Sequence, residues 1–202
     1  MSTTIVFDVE TGGLLDRHPT IQLAAIAIDD TTGVEIGAME CKIQFREEEA
    51  DPEALRINHY DAAVWMKAAI TPEEAVRKFT RFLDPYRTIQ MISKAGKPYR
   101  VAKLSGYNAQ TFDMPRLRRL YGDQFTPFGF HVRDVLQRVV WWFDEVDPAT
   151  KPPNLKLTSV CEYFGIDTTG AHDALCDVRL CAKLARRLRS NEVPAARTEA
   201  HA

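Results

Sequence analysis

An α/β fold built on a mixed central sheet of about five strands, flanked by helices, is the class this sequence predicts. Three observations predict it. Apolar, strand-like segments joined by short links fill the first 45 residues. Helix-start signals begin only after residue 50. From there strand-like and helix-like stretches alternate, and no internal repeat interrupts them.

Residues 4–9 read as an interior strand that runs on to Thr11-Gly12-Gly13, where glycine permits a tight turn. Residues 21–28, rich in Ile, Leu and Ala, form a second strand. A third covers residues 34–45 after the turn Asp30-Thr31-Thr32-Gly33, which makes the first three strands an antiparallel meander. Asp51-Pro52 pairs a capping acid with a helix-starting proline. Thr71-Pro72-Glu73-Glu74 is a capping box that opens a helix to about residue 83.

Residues 101–107 form the next strand, followed by a helix through residue 120. Pro115 fits only the first turn of that helix, which sets Asp113 at or near its N-terminal end. Residues 131–143 add a strand end and a helix whose Trp141 and Trp142 are assigned to packing. Residues 155–164 make a short helix stopped by Gly165. Asp173 then caps a final amphipathic helix to about residue 188. Residues 90–100 and 144–154 are connectors, and residues 190–202 are expected to be a disordered tail. Residues 1–189 are expected to form one domain, since the length supports one full core and not two.

Composition is that of a globular protein, 45% hydrophobic and 27% charged, with no apolar run of membrane-spanning length. The net charge of −2 advertises no global basic field, although a cluster of acids that cations neutralise would mask one. From Lys94 to Arg119 there are seven basic residues against the single acid Asp113, either a solvated face or a phosphate track. Cys41, Cys161, Cys176 and Cys181 form no CxxC pair and read as buried free thiols of a reducing compartment. The start of the chain shows no basic-then-apolar leader, so a cytoplasmic location is expected.

Chemistry concentrates in three short clusters: Asp8-Val9-Glu10, Phe112-Asp113, and His172 through Asp177. Asp8 and Glu10 are two apart on a strand, so both carboxylates share one face while Phe7 and Val9 take the other. Ionised acids on an apolar interior strand are costly to bury unless a cation neutralises them. An all-oxygen set suits Mg²⁺ or Mn²⁺ rather than zinc or copper. If Asp173 is a helix cap, His172 lies on the preceding loop and Asp177 in the first turns. Either the histidine then leans over a metal that Asp177 ligates and abstracts a proton from water, or the pair is a surface histidine and an N-terminal acid that favours the helix dipole. Nothing else reaches this weight. Gly12-Gly13 lacks the lysine of a P-loop and the spacing of a dinucleotide fingerprint, and His172 with Cys176 lacks a second zinc-ligand pair.

In this order the clusters resemble the DEDDh exonucleases, the proofreading-type 3′–5′ exonuclease superfamily. Its first motif is similar to residues 7–13, its second to Gly106-Tyr107-Asn108 with Phe112-Asp113, and its third to residues 172–177. The resemblance spans residues 4–188 and fills all five signature positions. It implies an RNase H-like fold, two Mg²⁺ or Mn²⁺ ions, and removal of nucleotides from the 3′ ends of single-stranded or frayed nucleic acid. By position, Asp8, Glu10 and Asp177 would hold the ion that binds the attacking water. Asp8 would bridge to a second ion reached by Asp113, and His172 would be the general base. Thr11 and Gly12 would help seat the terminal nucleotide, and Leu14 or Leu15 would wedge against its base or join the core. Asn108 would orient backbone, and Phe112 would stack or pack. Gln22 departs from the family pattern, in which an acid is common at that place.

DNA is slightly favoured as substrate. The alternatives are an exoribonuclease and a non-catalytic nucleic-acid-binding domain of the same fold. A polymerase or replication partner and the oligomeric state are not legible.

Overall fold

Alternation of apolar side chains in the first strand is realised in the computed structural model, which describes residues 2–171 and 173–189. Strand β1 (Thr3–Thr11) is followed by β2 (Thr20–Asp29) and β3 (Glu35–Lys42). Helices α1 (Pro52–Ile57), α2 (Ala62–Ala68) and α3 (Pro72–Leu83) come next, and then strands β4 (Ile89–Ile92), β5 (Pro98–Val101) and β6 (Lys103–Gly106). Helix α4 (Asp113–Tyr121), the short strand β7 (Arg133–Asp134), and helices α5 (Val135–Glu145), α6 (Leu157–Tyr163) and α7 (Ala174–Arg187) complete the described elements.

The main sheet has the order β3-β2-β1-β6-β7. β1, β2 and β3 form the antiparallel meander, whereas β6 and β7 run parallel to β1, so the sheet is mixed as predicted. The central strand β1 is covered on both faces. Ile5, Phe7 and Val9 join a core with Val76 and Phe79 of α3 and Met114 and Leu117 of α4. Val6 faces the other way, into a core with Val139 and Trp142 of α5 and Val178 and Leu184 of α7.

Local signals explain the helix starts. Thr71 Oγ1 accepts the Glu74 N–H at 3.2 Å and the Glu74 carboxylate accepts the Thr71 N–H at 3.0 Å, a complete capping box. The carboxylate of Asp173 accepts the Cys176 N–H at 3.1 Å at the head of α7.

Three expectations need correction, and one helix has no counterpart among them. Residues 90–100 are not a plain connector, because β4 and β5 pair there as an antiparallel hairpin turning near Gly96. Its strands mix Gln90 and Arg100 with apolar residues and every β4 residue is exposed, so no alternation marked them. Helix α2 was not foreseen, although the carboxylate of Asp61 caps it by accepting the Ala63 and Val64 N–H groups. Trp142 is buried, but Trp141 is 59% exposed and packs no core. Cys41, Cys161 and Cys181 are buried free thiols, whereas Cys176 is only half-buried. Among the described residues, no helix is long and apolar enough to cross a membrane.

Candidate active site

Pairing between β1 and β6 covers only Thr4 to Val6, and β6 ends at Gly106. Beyond that point the Val9 N–H finds a side chain instead of a strand: it donates to Asp113 Oδ1 at 3.0 Å. A buried N–H must be satisfied, and the carboxylate at the first position of α4 does so. Asp113 is 2% exposed and is thereby fixed against the middle of the DxE segment.

Asp8 and Glu10 lie on the face of β1 that carries Val6, toward α7, and the charges of Asp177 and Asp113 act on both. Burial pushes Asp8 well above the usual carboxylate range, and repulsion from Asp113, Glu10 and Asp177 adds to it. Burial, then Asp177, Asp113 and Asp173, raise Glu10 from its ordinary 4.5 to about 7. Asp113 rises from 3.8 to about 7, again by burial, against the Val9 N–H and the charge of Arg116 that favour ionisation. Asp177 is half-buried in the first turn of α7, with its N–H donated to the Asp173 carbonyl at 2.9 Å. Among the described residues, no three acid, cysteine or histidine side chains are placed closely enough to enclose one ion together. The donor chemistry nonetheless fits a hard divalent cation: carboxylates only, crowded and held partly protonated by burial and by one another.

A pH dependence follows. Between the ordinary carboxylate range and about 7 the folded chain holds protons on Glu10 and Asp113 that the unfolded chain has released. Stability of the metal-free protein therefore falls as pH rises through that window. Thermal unfolding in chelator should show the midpoint dropping between about pH 4 and about pH 7, and added Mg²⁺ or Mn²⁺ should restore it at the upper end. A midpoint that climbs with pH in chelator would mean the acids do not repel one another.

The turn after β1 is tightly held. Thr11 is buried and its hydroxyl donates to the Gly13 carbonyl at 2.8 Å, while its own carbonyl accepts Asn58 Nδ2 at 2.8 Å. Gly12 passes so close to Ala50 that a Cβ there would stand 2.7 Å from the alanine methyl. At Gly13, φ is 149° and His18 packs directly on the backbone. Leu14 is 82% exposed, which removes the core alternative for it. Asn108 sits at φ 57°; its N–H donates to Asp134 Oδ1 at 3.0 Å and its side-chain oxygen accepts Thr111 Oγ1 at 2.6 Å. Phe112 is half-buried, with the Arg116 guanidinium 3.7 Å from its ring centre. Gln22 is buried and donates to Glu40 at 2.6 Å. His172 and the tail 190–202 lie outside the described residues.

Four of the seven basic side chains between residues 94 and 119 are engaged within the fold. Lys103 pairs with Asp30, Arg116 is buried, Arg118 covers Phe130 and Arg119 binds Asp16. Two residues that organise the site escaped sequence reasoning. Asp134 accepts the N–H groups of Asn108, Gln110 and Leu136, each at 3.0 Å, and so ties the loop after β6 to the head of α5. Its capping role was readable from Asp134 preceding an apolar run; its grip on residues 108–110 was not. Arg116 is the other.

No family model matches the chain. No curated protein matches it either. Solved structures do. A crystal structure of E. coli exonuclease I in complex with a dT13 oligonucleotide aligns over 100% of this chain and 43% of its own, with TM-score 0.74 and 19% identity. A zinc-bound E. coli exonuclease I–ssDNA complex aligns over 92% and 40%, with TM-score 0.69 and 20% identity. Exonuclease I from Methylocaldum szegediense, a moderately thermophilic enzyme, aligns over 94% and 40%, with TM-score 0.70 and 20% identity. This chain therefore has the fold of part of those proteins and spans 40 to 43% of their length.

Proposed function

We propose that residues 1–189 form a single metal-dependent exonuclease domain that hydrolyses phosphodiester bonds at the 3′ end of single-stranded nucleic acid, DNA slightly favoured. The observation that carries this reading is electrostatic. Burial drives Asp8, Glu10 and Asp113 toward protonation, and the charge of Asp177 adds to it at Asp8 and Glu10, an arrangement that destabilises the fold unless a cation joins it. The fold shared with exonuclease I, solved with a dT13 oligonucleotide and in a zinc-bound ssDNA complex, supports it. The buried thiols suit a cytoplasmic location.

Asp8, Glu10, Asp177 and Asp113 would hold two Mg²⁺ or Mn²⁺ ions. Such ions stabilise charge on the attacking and leaving oxygens of an in-line displacement. His172, the residue before the Asp173 cap, takes a proton from the attacking water in its neutral form. Thr11, Gly12 and Leu14 receive the terminal nucleotide, with Leu14 against its base and Phe112 on the opposite wall. Asn108 holds the loop that leads into Asp113.

Labelled single-stranded DNA, duplex DNA and RNA, each with Mg²⁺, Mn²⁺ or chelator, test this directly. Linear single-stranded DNA should shorten from its 3′ end, and a circular strand of the same sequence should survive. Nicking of the circle refutes the exonuclease reading. Preference for RNA selects the exoribonuclease alternative, and binding without cleavage selects the non-catalytic one.

A further inference from the structure

Arg116 is only 3% exposed, yet its terminal nitrogens serve two backbone carbonyls rather than a carboxylate. One donates to the Leu14 carbonyl at 2.8 Å and the other to the Phe112 carbonyl at 2.9 Å, with the guanidinium lying 3.7 Å from the Phe112 ring centre. Nε has no hydrogen-bond partner. A buried cation placed this way is an expensive crosslink, and what it joins is informative. At one end is the turn that displays the exposed Leu14. At the other is the residue that precedes Asp113. One helical turn further along α4, Arg119 reaches Asp16 of the same loop, with a guanidinium nitrogen 3.9 Å from its carboxylate.

We propose that Arg116 is a positioning residue that fixes the spacing between Leu14 and Phe112, and with it the seat for the terminal nucleotide relative to Asp113. The inference rests on the exonuclease reading above. Only the planar fork of an arginine reaches both carbonyls while presenting a flat face to an aromatic ring; a lysine ammonium cannot do all three. Without the crosslink the Leu14 turn shifts relative to α4, and the strand end is held less well while the acids keep their chemistry.

Arg116→Lys and Arg116→Met test this, the lysine variant retaining charge should the methionine variant fold poorly. With labelled single-stranded DNA and saturating Mn²⁺, KM should rise on the order of 10-fold or more, with kcat within about 3-fold of the parent. In the substrate-free protein, exchange should accelerate at the Gly12 and His18 amides, which now bond to the Pro19 carbonyl at 2.8 Å and the Leu15 carbonyl at 3.0 Å. Amides of α7 should not change. A general loss of stability would instead lower the active fraction and leave KM alone. Unchanged exchange at Gly12 and His18 overturns the crosslink and leaves the nuclease reading intact, as does a fall in kcat at constant KM. A parent protein that digests no nucleic acid overturns the seat, whatever the exchange shows.

Discussion

Asp8→Asn should eliminate nuclease activity, a loss on the order of 10³-fold or more, while making the metal-free protein more stable. The two effects share one cause. Asp8 stands on the central strand where burial and the charges of Asp113, Glu10 and Asp177 all oppose its ionisation. Replacing the carboxylate by an amide of the same size removes one repelling charge without leaving a cavity. Glu10, raised from 4.5 to about 7, illustrates the scale: a carboxyl so displaced costs the folded state on the order of 3 kcal/mol at alkaline pH. Partial relief of such repulsion corresponds to a midpoint about 2–6 °C higher in chelator at pH 8. The same amide cannot serve as an anionic ligand, so divalent ions should stabilise the variant less than the parent. Measuring the midpoint with and without Mn²⁺ beside the digestion rate separates the possibilities. An Asp8→Asn protein that still cleaves sinks the metal assignment, and one that is less stable in chelator sinks the electrostatic argument.

Substituting His172 by alanine should lower the rate by about 10²–10⁴-fold, the usual share of a general base, and flatten the acidic limb of the pH–rate profile. The base works in its neutral form, so the parent's rate should rise with pH as the imidazole loses its proton. Glu10 and Asp113 titrate near 7 in the metal-free protein and would produce a limb of the same sign through lost metal binding. Saturating Mn²⁺ removes that contribution, which makes the metal concentration part of the experiment. Calorimetric titration should give near-parental metal binding for His172→Ala, because the acids remain. A variant with near-normal rate, or one that loses metal binding along with activity, would show that His172 is not the base.

What the sequence discloses depends on how local each interaction is. β1 is legible because Ile5, Phe7 and Val9 alternate with residues of the opposite face, and a period of two is a short-range signal. The α3 cap is legible because both halves of the capping box lie within four residues. Asp8 and Glu10 were placed on one face by the same periodicity. The bond from Val9 to Asp113 was beyond reach, since it joins residues 104 apart and exists only because β6 stops short. Arg116 read as one more surface cation in a basic stretch; its partner Leu14 is 102 residues away and offers a carbonyl, which every residue has. The hairpin of β4 and β5 was invisible for the opposite reason, because it buries too little to leave a pattern.

The placement of Asp177 in the first turn of α7 bears on how the chain is made. Synthesis delivers β1, with Asp8 and Glu10, first, and Asp113 more than a hundred residues later. α7, which packs on β1 and β2 and brings Asp177, is the last described helix to leave the ribosome. Until then the acids on β1 lack their partner from the opposite wall, and the core around Val6 and Ile26 lacks Val178 and Leu184. A nascent or prematurely terminated chain thus holds an incomplete set of acids beside an unfinished core. On the exonuclease reading proposed above, the full set of acids and the completed core would be acquired in one event.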